Sequence, residues 1–123
     1  FKKVNDTYGH QIGDIILVEL ASILQSHLRE GDIVGRYGGE EFGIVLSCNA
    51  RMDTSAFCDR IRKSVESHSF TTDKGEIPIT ISLGYCSIEN LSQSTSFEII
   101  KKADEHLYKA KKNGRNRVSG IHL

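Results

Sequence analysis

Two adjacent carboxylates, Glu40 and Glu41, directly follow a glycine pair in the run Arg36-Tyr37-Gly38-Gly39-Glu40-Glu41-Phe42. Ile33-Val34 before the run and Phe42-Gly43-Ile44-Val45-Leu46 at its end are apolar or β-branched and read as strands. Gly-Gly between two such segments predicts a tight hairpin, because glycine takes positive φ without steric cost. A turn without side chains lets a ligand lie against the backbone. Carboxylates at its rim have charge to offer a hard metal ion or a proton. The glycine pair alone favours a solvated acidic hairpin; the seven residues together say more.

Other residues could also do chemistry. Lys111 and Arg115 stand four apart near the end of a helical pattern, within reach of an anion. As two cations at a helix C-terminus they would also gain about 0.3–1 kcal/mol from the dipole. Arg29 and Asp32 form an Arg-x-x-Asp run just ahead of the hairpin, which by itself also fits a solvated helix end. Asn5 and Asp14, taken singly, read as a turn asparagine and a helix N-cap.

These groups need elements to hold them. Ile16, Leu20, Ile23, Leu24 and Leu28 recur at helical spacing after Gly13-Asp14, predicting an amphipathic helix that ends near Glu30-Gly31. The hairpin follows. Asp53 or Thr54 can cap a second helix with Phe57, Ile61 and Val65 facing inward. Residues 77–88 alternate, with Ile77, Ile79, Ile81, Leu83 and Tyr85 on one face, and read as one strand. After a polar loop over residues 89–96, Thr95-Ser96-Phe97-Glu98 resembles a capping box and opens a third helix. Phe97, Ile100, Asp104, Leu107 and Lys111 recur along one side of it, Gly114 is its stop, and Arg117-Val118 begins a last strand.

Composition narrows the partners. The 123 residues fit a single domain over 1–123 with a real core. Sixteen basic and sixteen acidic residues cancel, so no global field favours a nucleic-acid polymer or an anionic membrane. No apolar run approaches a transmembrane span and no signal peptide is visible, which predicts a cytoplasmic domain. The three cysteines, Cys48, Cys58 and Cys86, are widely spaced and read as reduced thiols packed as small hydrophobes. The five histidines show no zinc-ligand spacing.

The acidic hairpin resembles that of the GGDEF family, the diguanylate cyclase domains, in its Gly-Gly-Glu-Glu-Phe form. Two further blocks carry the resemblance. The first is Phe1-Lys2-Lys3-Val4-Asn5-Asp6-Thr7-Tyr8-Gly9-His10-Gln11-Ile12-Gly13-Asp14. The second is Ala103-Asp104-Glu105-His106-Leu107-Tyr108-Lys109-Ala110-Lys111 with Gly114-Arg115-Asn116. The three blocks stand in the family's order and span nearly the whole chain.

The resemblance implies an α+β fold of the ferredoxin-like, nucleotidyl-cyclase palm type: a mainly antiparallel central sheet flanked by helices. The visible order begins with a helix, so the family's first, central strand is expected to lie upstream of Phe1. It implies condensation of two GTP into cyclic di-GMP and two pyrophosphates by a homodimer of half-sites, with Mg²⁺ or Mn²⁺ as cofactor.

Residue by residue, it makes Glu40 the metal ligand, with a partner aspartate upstream of Phe1, and Glu41 a supporting charge. Asn5 and Asp14 would read guanine. Phe1, Lys2, Gly38 and Gly39 would flank the phosphates, and Lys111 and Arg115 would reach the triphosphate. Arg29, Asp32 and Arg60 would form an inhibitory product site. Weak or no turnover is expected of residues 1–123 alone, and a sensory or receiver domain is expected upstream. The alternative is a catalytically inactive module that binds GTP or senses cyclic di-GMP through Arg29 and Asp32.

Overall fold

The computed structural model describes residues 2–47, 53–89 and 94–123. Phe1 and Cys48 lie outside the described residues, as do the side chains of Lys2 and Lys3 and the middle of the loop expected over residues 89–96. The chain divides into two compact units, one of residues 1–48 and 68–79, the other of residues 49–67 and 80–123.

The first unit opens with a short helix the sequence pattern did not announce, α1 (Lys2–Tyr8), followed by α2 (His10–Ser26). Gly9, at φ +90°, separates them; its N–H donates to the Asn5 carbonyl at 2.9 Å and its carbonyl accepts from Gly13 N–H at 3.1 Å. Helix α2 therefore starts at His10. Asp14 lies one turn inside it rather than at its N-cap, and Asn5 lies in α1 rather than in a turn.

The buried stripe of α2 is Ile12, Ile16, Leu17, Leu20 and Leu24, with Gly13. The helix stops at Ser26, short of Glu30-Gly31, because local hydrogen bonds compete with it. Ser26 Oγ donates to the Ile23 carbonyl at 2.6 Å, and Arg29 N–H donates to Asp32 Oδ2 at 2.9 Å.

Strands β1 (Ile33–Gly38) and β2 (Glu41–Val45) pair antiparallel, as the hairpin pattern predicts. A second hairpin, β3 (Phe70–Thr72) and β4 (Gly75–Ile77), packs on α2. Phe70 is fully buried and meets His68 edge-on at 4.7 Å between ring centroids, while His68 Nε2 lies 2.6 Å from Glu19 Oε1. The strand expected over residues 77–88 is thus two elements. Ile77 ends β4, and Pro78, which has no N–H for a ladder, interrupts the run before β5 (Leu83–Ser87).

The second unit holds α3 (Thr54–Ser67), β5, α4 (Ser96–Lys112) and β6 (Val118–His122). Asp53 caps α3 through Ala56 N–H at 3.1 Å, and Phe57, Cys58, Ile61 and Val65 are buried, as expected. Thr95 caps α4, accepting from Glu98 N–H at 3.2 Å. Strands β5 and β6 pair parallel, which requires a long crossover; α4 is that crossover and packs on both strands.

The row Phe97, Ile100, Asp104, Leu107 and Lys111 is not buried along its whole length. Phe97 and Ile100 are exposed, and the helix approaches β5 through Ala103 and Leu107, whose backbone atoms lie against Gly84. Gly84, without a side chain, lets the helix backbone and the strand meet directly. The α+β class holds. Among the described residues the strands form three pairs, two antiparallel and one parallel.

Candidate functional site

The β1–β2 register fixes the geometry of the acidic hairpin. Arg36 pairs with Phe42 and Gly38 with Glu41, so Tyr37 is the extra residue of a bulge and Gly39-Glu40 is the two-residue turn. The tip therefore lies one residue later than the expected Gly38-Gly39. Gly39 has φ +45°, the conformation for which a glycine was expected, and Gly38 ends the strand. Arg36 Nε donates to the Gly39 carbonyl at 2.7 Å and closes the tip from below. Glu40 stands exposed on the turn; Glu41, half-buried, begins β2.

The donors at this tip are carboxylate oxygens, with no thiol or imidazole in the run, which is the chemistry a hard divalent cation takes. Among the described residues no group of three or more His, Cys, Asp or Glu side chains gathers to hold a metal ion. The tip fits a cation whose remaining ligands are substrate oxygens and water.

The Asn5 side chain is seated against Gly13, the chain neighbour of Asp14 and a residue given no role from sequence. Asn5 Oδ1 lies directly on Gly13, next to Asp14, where any Cβ would overlap it. A signal was present: a glycine inside a helix costs about 1 kcal/mol relative to alanine, so Gly13 in the first turn of α2 points to a close approach. Asn5 is half-buried and Asp14 is exposed.

Lys111 is half-buried in the last turn of α4, and Arg115 is exposed beyond it with a left-handed backbone, φ +62°.

The Arg-x-x-Asp run joins the end of α2 to β1. Asp32 accepts backbone N–H groups on both oxygens, from Arg29 at 2.9 Å and from Ser47 at 2.9 Å. These two bonds hold its carboxyl below the ordinary aspartate range. Arg29 Nη2 reaches the Ser47 carbonyl at 3.3 Å. An open depression of about 440 Å³ lies here, lined by Gln25, Leu28, Arg29, Glu30, Asp32, Ile33 and Val34. In the second unit, the Arg60 guanidinium lies 5.2 Å from the centre of the Phe57 ring. Burial pushes the Cys58 thiol up to about 12, in keeping with a packed thiol, and raises Cys86 as well.

Comparison with known proteins places this arrangement in a class. The family described as "Diguanylate cyclase, GGDEF domain" matches residues 1–117, and the chain belongs to the GGDEF family. Diguanylate cyclase A of Treponema denticola is 46% identical over 119 residues, which are 97% of this chain and 32% of that protein. The chain thus spans about a third of the length of that curated relative.

The GGDEF domain of DgcB from Caulobacter crescentus, in complex with c-di-GMP, superposes with a TM-score of 0.87 at 32% identity, covering 98% of this chain and 71% of that one. The active GGEEF domain of a diguanylate cyclase from Vibrio cholerae superposes with a TM-score of 0.85 at 32% identity, covering 100% of this chain and 77% of that one. Among the described residues, no helix is long and apolar enough to cross a membrane.

Proposed function

We propose that residues 1–123 belong to one GGDEF domain of a cytoplasmic diguanylate cyclase, which joins two GTP into cyclic di-GMP and releases two pyrophosphates. The observation that carries this reading is the closed Gly39-Glu40 turn with two carboxylates beside it, in a chain of this family. In each of two steps a 3′-hydroxyl oxygen bonds to the α-phosphorus of the other GTP, the hydroxyl proton is lost, and the bond to pyrophosphate breaks. Two domains, each holding one GTP, face each other as a homodimer, since each half-site holds only one of the two GTP molecules that must react with each other.

Glu40 would hold Mg²⁺ or Mn²⁺, with Glu41 as a supporting charge; when bound, the cation would neutralise charge on the triphosphate. Gly38 and Gly39 offer bare backbone to the phosphates, and Lys2, Lys111 and Arg115 supply cations. Asn5 and Asp14 meet the guanine edge, Asp14 accepting from N1–H and N2–H₂ and Asn5 meeting the N3/N2 side. An upstream sensory or receiver domain controls the pairing. The experiment is GTP turnover with Mg²⁺ by the full-length gene product, cyclic di-GMP being the expected product; GTP binding without turnover would instead support the non-catalytic module.

The Asn5 contact gives a sharp expectation. In Gly13→Ala the new methyl displaces a flexible side chain rather than backbone, so the fold persists while Asn5 leaves its place. Losing one buried polar contact costs about 1–3 kcal/mol, so GTP affinity should fall about tenfold or more, with little change in Tm. Unchanged affinity in a titration would remove Asn5 from guanine reading.

Product binding at Arg29 is supported by the depression beside it. Arg29 supplies the cation there, and Asp32 fixes the backbone that carries Arg29. Arg29→Ala is expected to weaken cyclic di-GMP binding about tenfold while leaving GTP binding largely intact. Equal loss of both would argue against a separate product site.

A further inference from the structure

The turn after α4 is held in a conformation that its sequence does not favour. Gly114, Arg115 and Asn116 all have positive φ, at +127°, +62° and +47°, and they are followed directly by Arg117 and β6. Glycine after a helix end is ordinary, and the Arg115 N–H to Ala110 carbonyl bond at 3.0 Å is the return bond of such an end. Arginine next in line is not ordinary, because its Cβ opposes the left-handed backbone. Backbone in sparsely populated conformations persists where the surroundings over-determine it, and it clusters where function needs a fixed direction.

Here the surroundings are specific. Asn116 Oδ1 accepts from Arg62 Nη1 at 3.0 Å, and Asn116 Nδ2 donates to Glu66 Oε2. The Arg62 Nε donates to Asp59 Oδ1 at 2.8 Å, and its Nη1 lies 3.6 Å from Glu66 Oε1. The Arg62 side chain is only 15% exposed, so α3 holds this guanidinium firmly. Arg117 Nε donates to the Arg115 carbonyl at 3.0 Å, and its guanidinium covers Gly114. The backbone of Arg115 is thus pinned on both sides, while its own guanidinium is exposed and makes no hydrogen bond or ion pair among the described residues.

We infer that Asn116 and Arg62 form a latch that fixes the direction of Arg115 and thereby sets how strongly the protein prefers a triphosphate over a monophosphate. This rests on the reading of Arg115 as a phosphate-binding cation. Both latch residues are positioning residues: neither touches the nucleotide. The Asn116 amide matches its two partners, carbonyl to guanidinium and NH₂ to carboxylate. A side chain without both functions at position 116 cannot satisfy both.

The test uses the full-length gene product and 3′-deoxy-GTP, which lacks the attacking hydroxyl and cannot react, with GMP as the one-phosphate comparator. The variants are Asn116→Gly, which keeps access to the left-handed backbone and removes the amide; Arg62→Ala; Arg115→Ala; and Arg115→Ala with Asn116→Gly. Asn116→Gly and Arg62→Ala are each expected to lower the ratio of triphosphate to monophosphate affinity about tenfold, with GMP affinity within about twofold of the parent. Arg115→Ala should show the same loss, and adding Asn116→Gly to it should lower the ratio no further, since the latch acts through Arg115.

If Arg115→Ala loses the preference while Asn116→Gly and Arg62→Ala keep it, the latch is refuted and the phosphate role of Arg115 stands. If Arg115→Ala keeps the preference, the phosphate role fails and the latch with it. A parallel loss of GMP and triphosphate affinity with a lowered Tm would make the network a plain structural tie and overturn the inference. Should Arg62→Ala not fold, Asn116→Gly and the double variant decide between these outcomes by themselves.

Discussion

Glu40→Ala is expected to lower cyclic di-GMP formation by about a hundredfold to a thousandfold while leaving Tm unchanged. Glu40 is the second residue of the two-residue turn and is exposed, so its side chain supports no packing. Its backbone is outside the positive-φ region, so alanine takes its place without strain. Arg36 closes the turn through the Gly39 carbonyl, a bond that does not involve the Glu40 side chain. On the proposed reading, the substitution removes the carboxylate that would hold the cation on the triphosphate, the kind of group whose loss is felt in the rate. Glu40→Gln should fall nearly as far, because the amide keeps the shape and loses the charge. Turnover unaffected by either change would take Glu40 out of the mechanism.

The largest expected effect on stability comes from a glycine far from the acidic turn in sequence. Gly84→Ala should destabilise the protein by about 3 kcal/mol, a drop in Tm on the order of 10 °C. A Cβ at position 84 would overlap the Ala103 carbonyl oxygen and the Leu107 nitrogen of α4. These are backbone atoms, so relief requires moving the helix off β5 rather than turning a side chain. Gly84 has no unusual φ, so the cost is steric alone. Gly35→Ala is the matched control: it also lies in a strand, and nothing stands within 4 Å of the added Cβ. Equal melting shifts for the two variants would show that the close approach of α4 to β5 is not what Gly84 serves.

The elements legible in the sequence are those whose reasons are local. The strands around Gly38-Gly39, the Asp53 and Thr95 caps and the buried stripes Ile16–Leu20–Leu24 and Phe57–Ile61–Val65 follow from turn chemistry and apolar spacing, and they stand where expected. Helix α1 escaped because seven residues offer too little pattern, and the early start of α2 escaped because Gly9 caps it without a side chain.

Which side of α4 packs was not legible, because Phe97 and Ile100 dominate the apolar pattern while Ala103 and Leu107 meet Gly84. The second hairpin escaped because its strands have three residues each; only Ile77 of it lies in the run read as one strand, which Pro78 interrupts. The same division applies to the candidate site. Glu40, Glu41, Asn5 and Asp14 are candidates named from motifs whose parts are close in sequence. The support under Asn5 and Arg115 was not: Gly13 acts by its missing side chain, and Arg62 reaches Asn116 across 54 positions.

The most direct measurement is a crystal structure of the full-length gene product with 3′-deoxy-GTP and Mg²⁺. The account predicts the triphosphate against the backbone of Gly38 and Gly39, with the cation on Glu40 and the guanine edge at Asn5 and Asp14. A nucleotide bound with its phosphates away from that turn would contradict it.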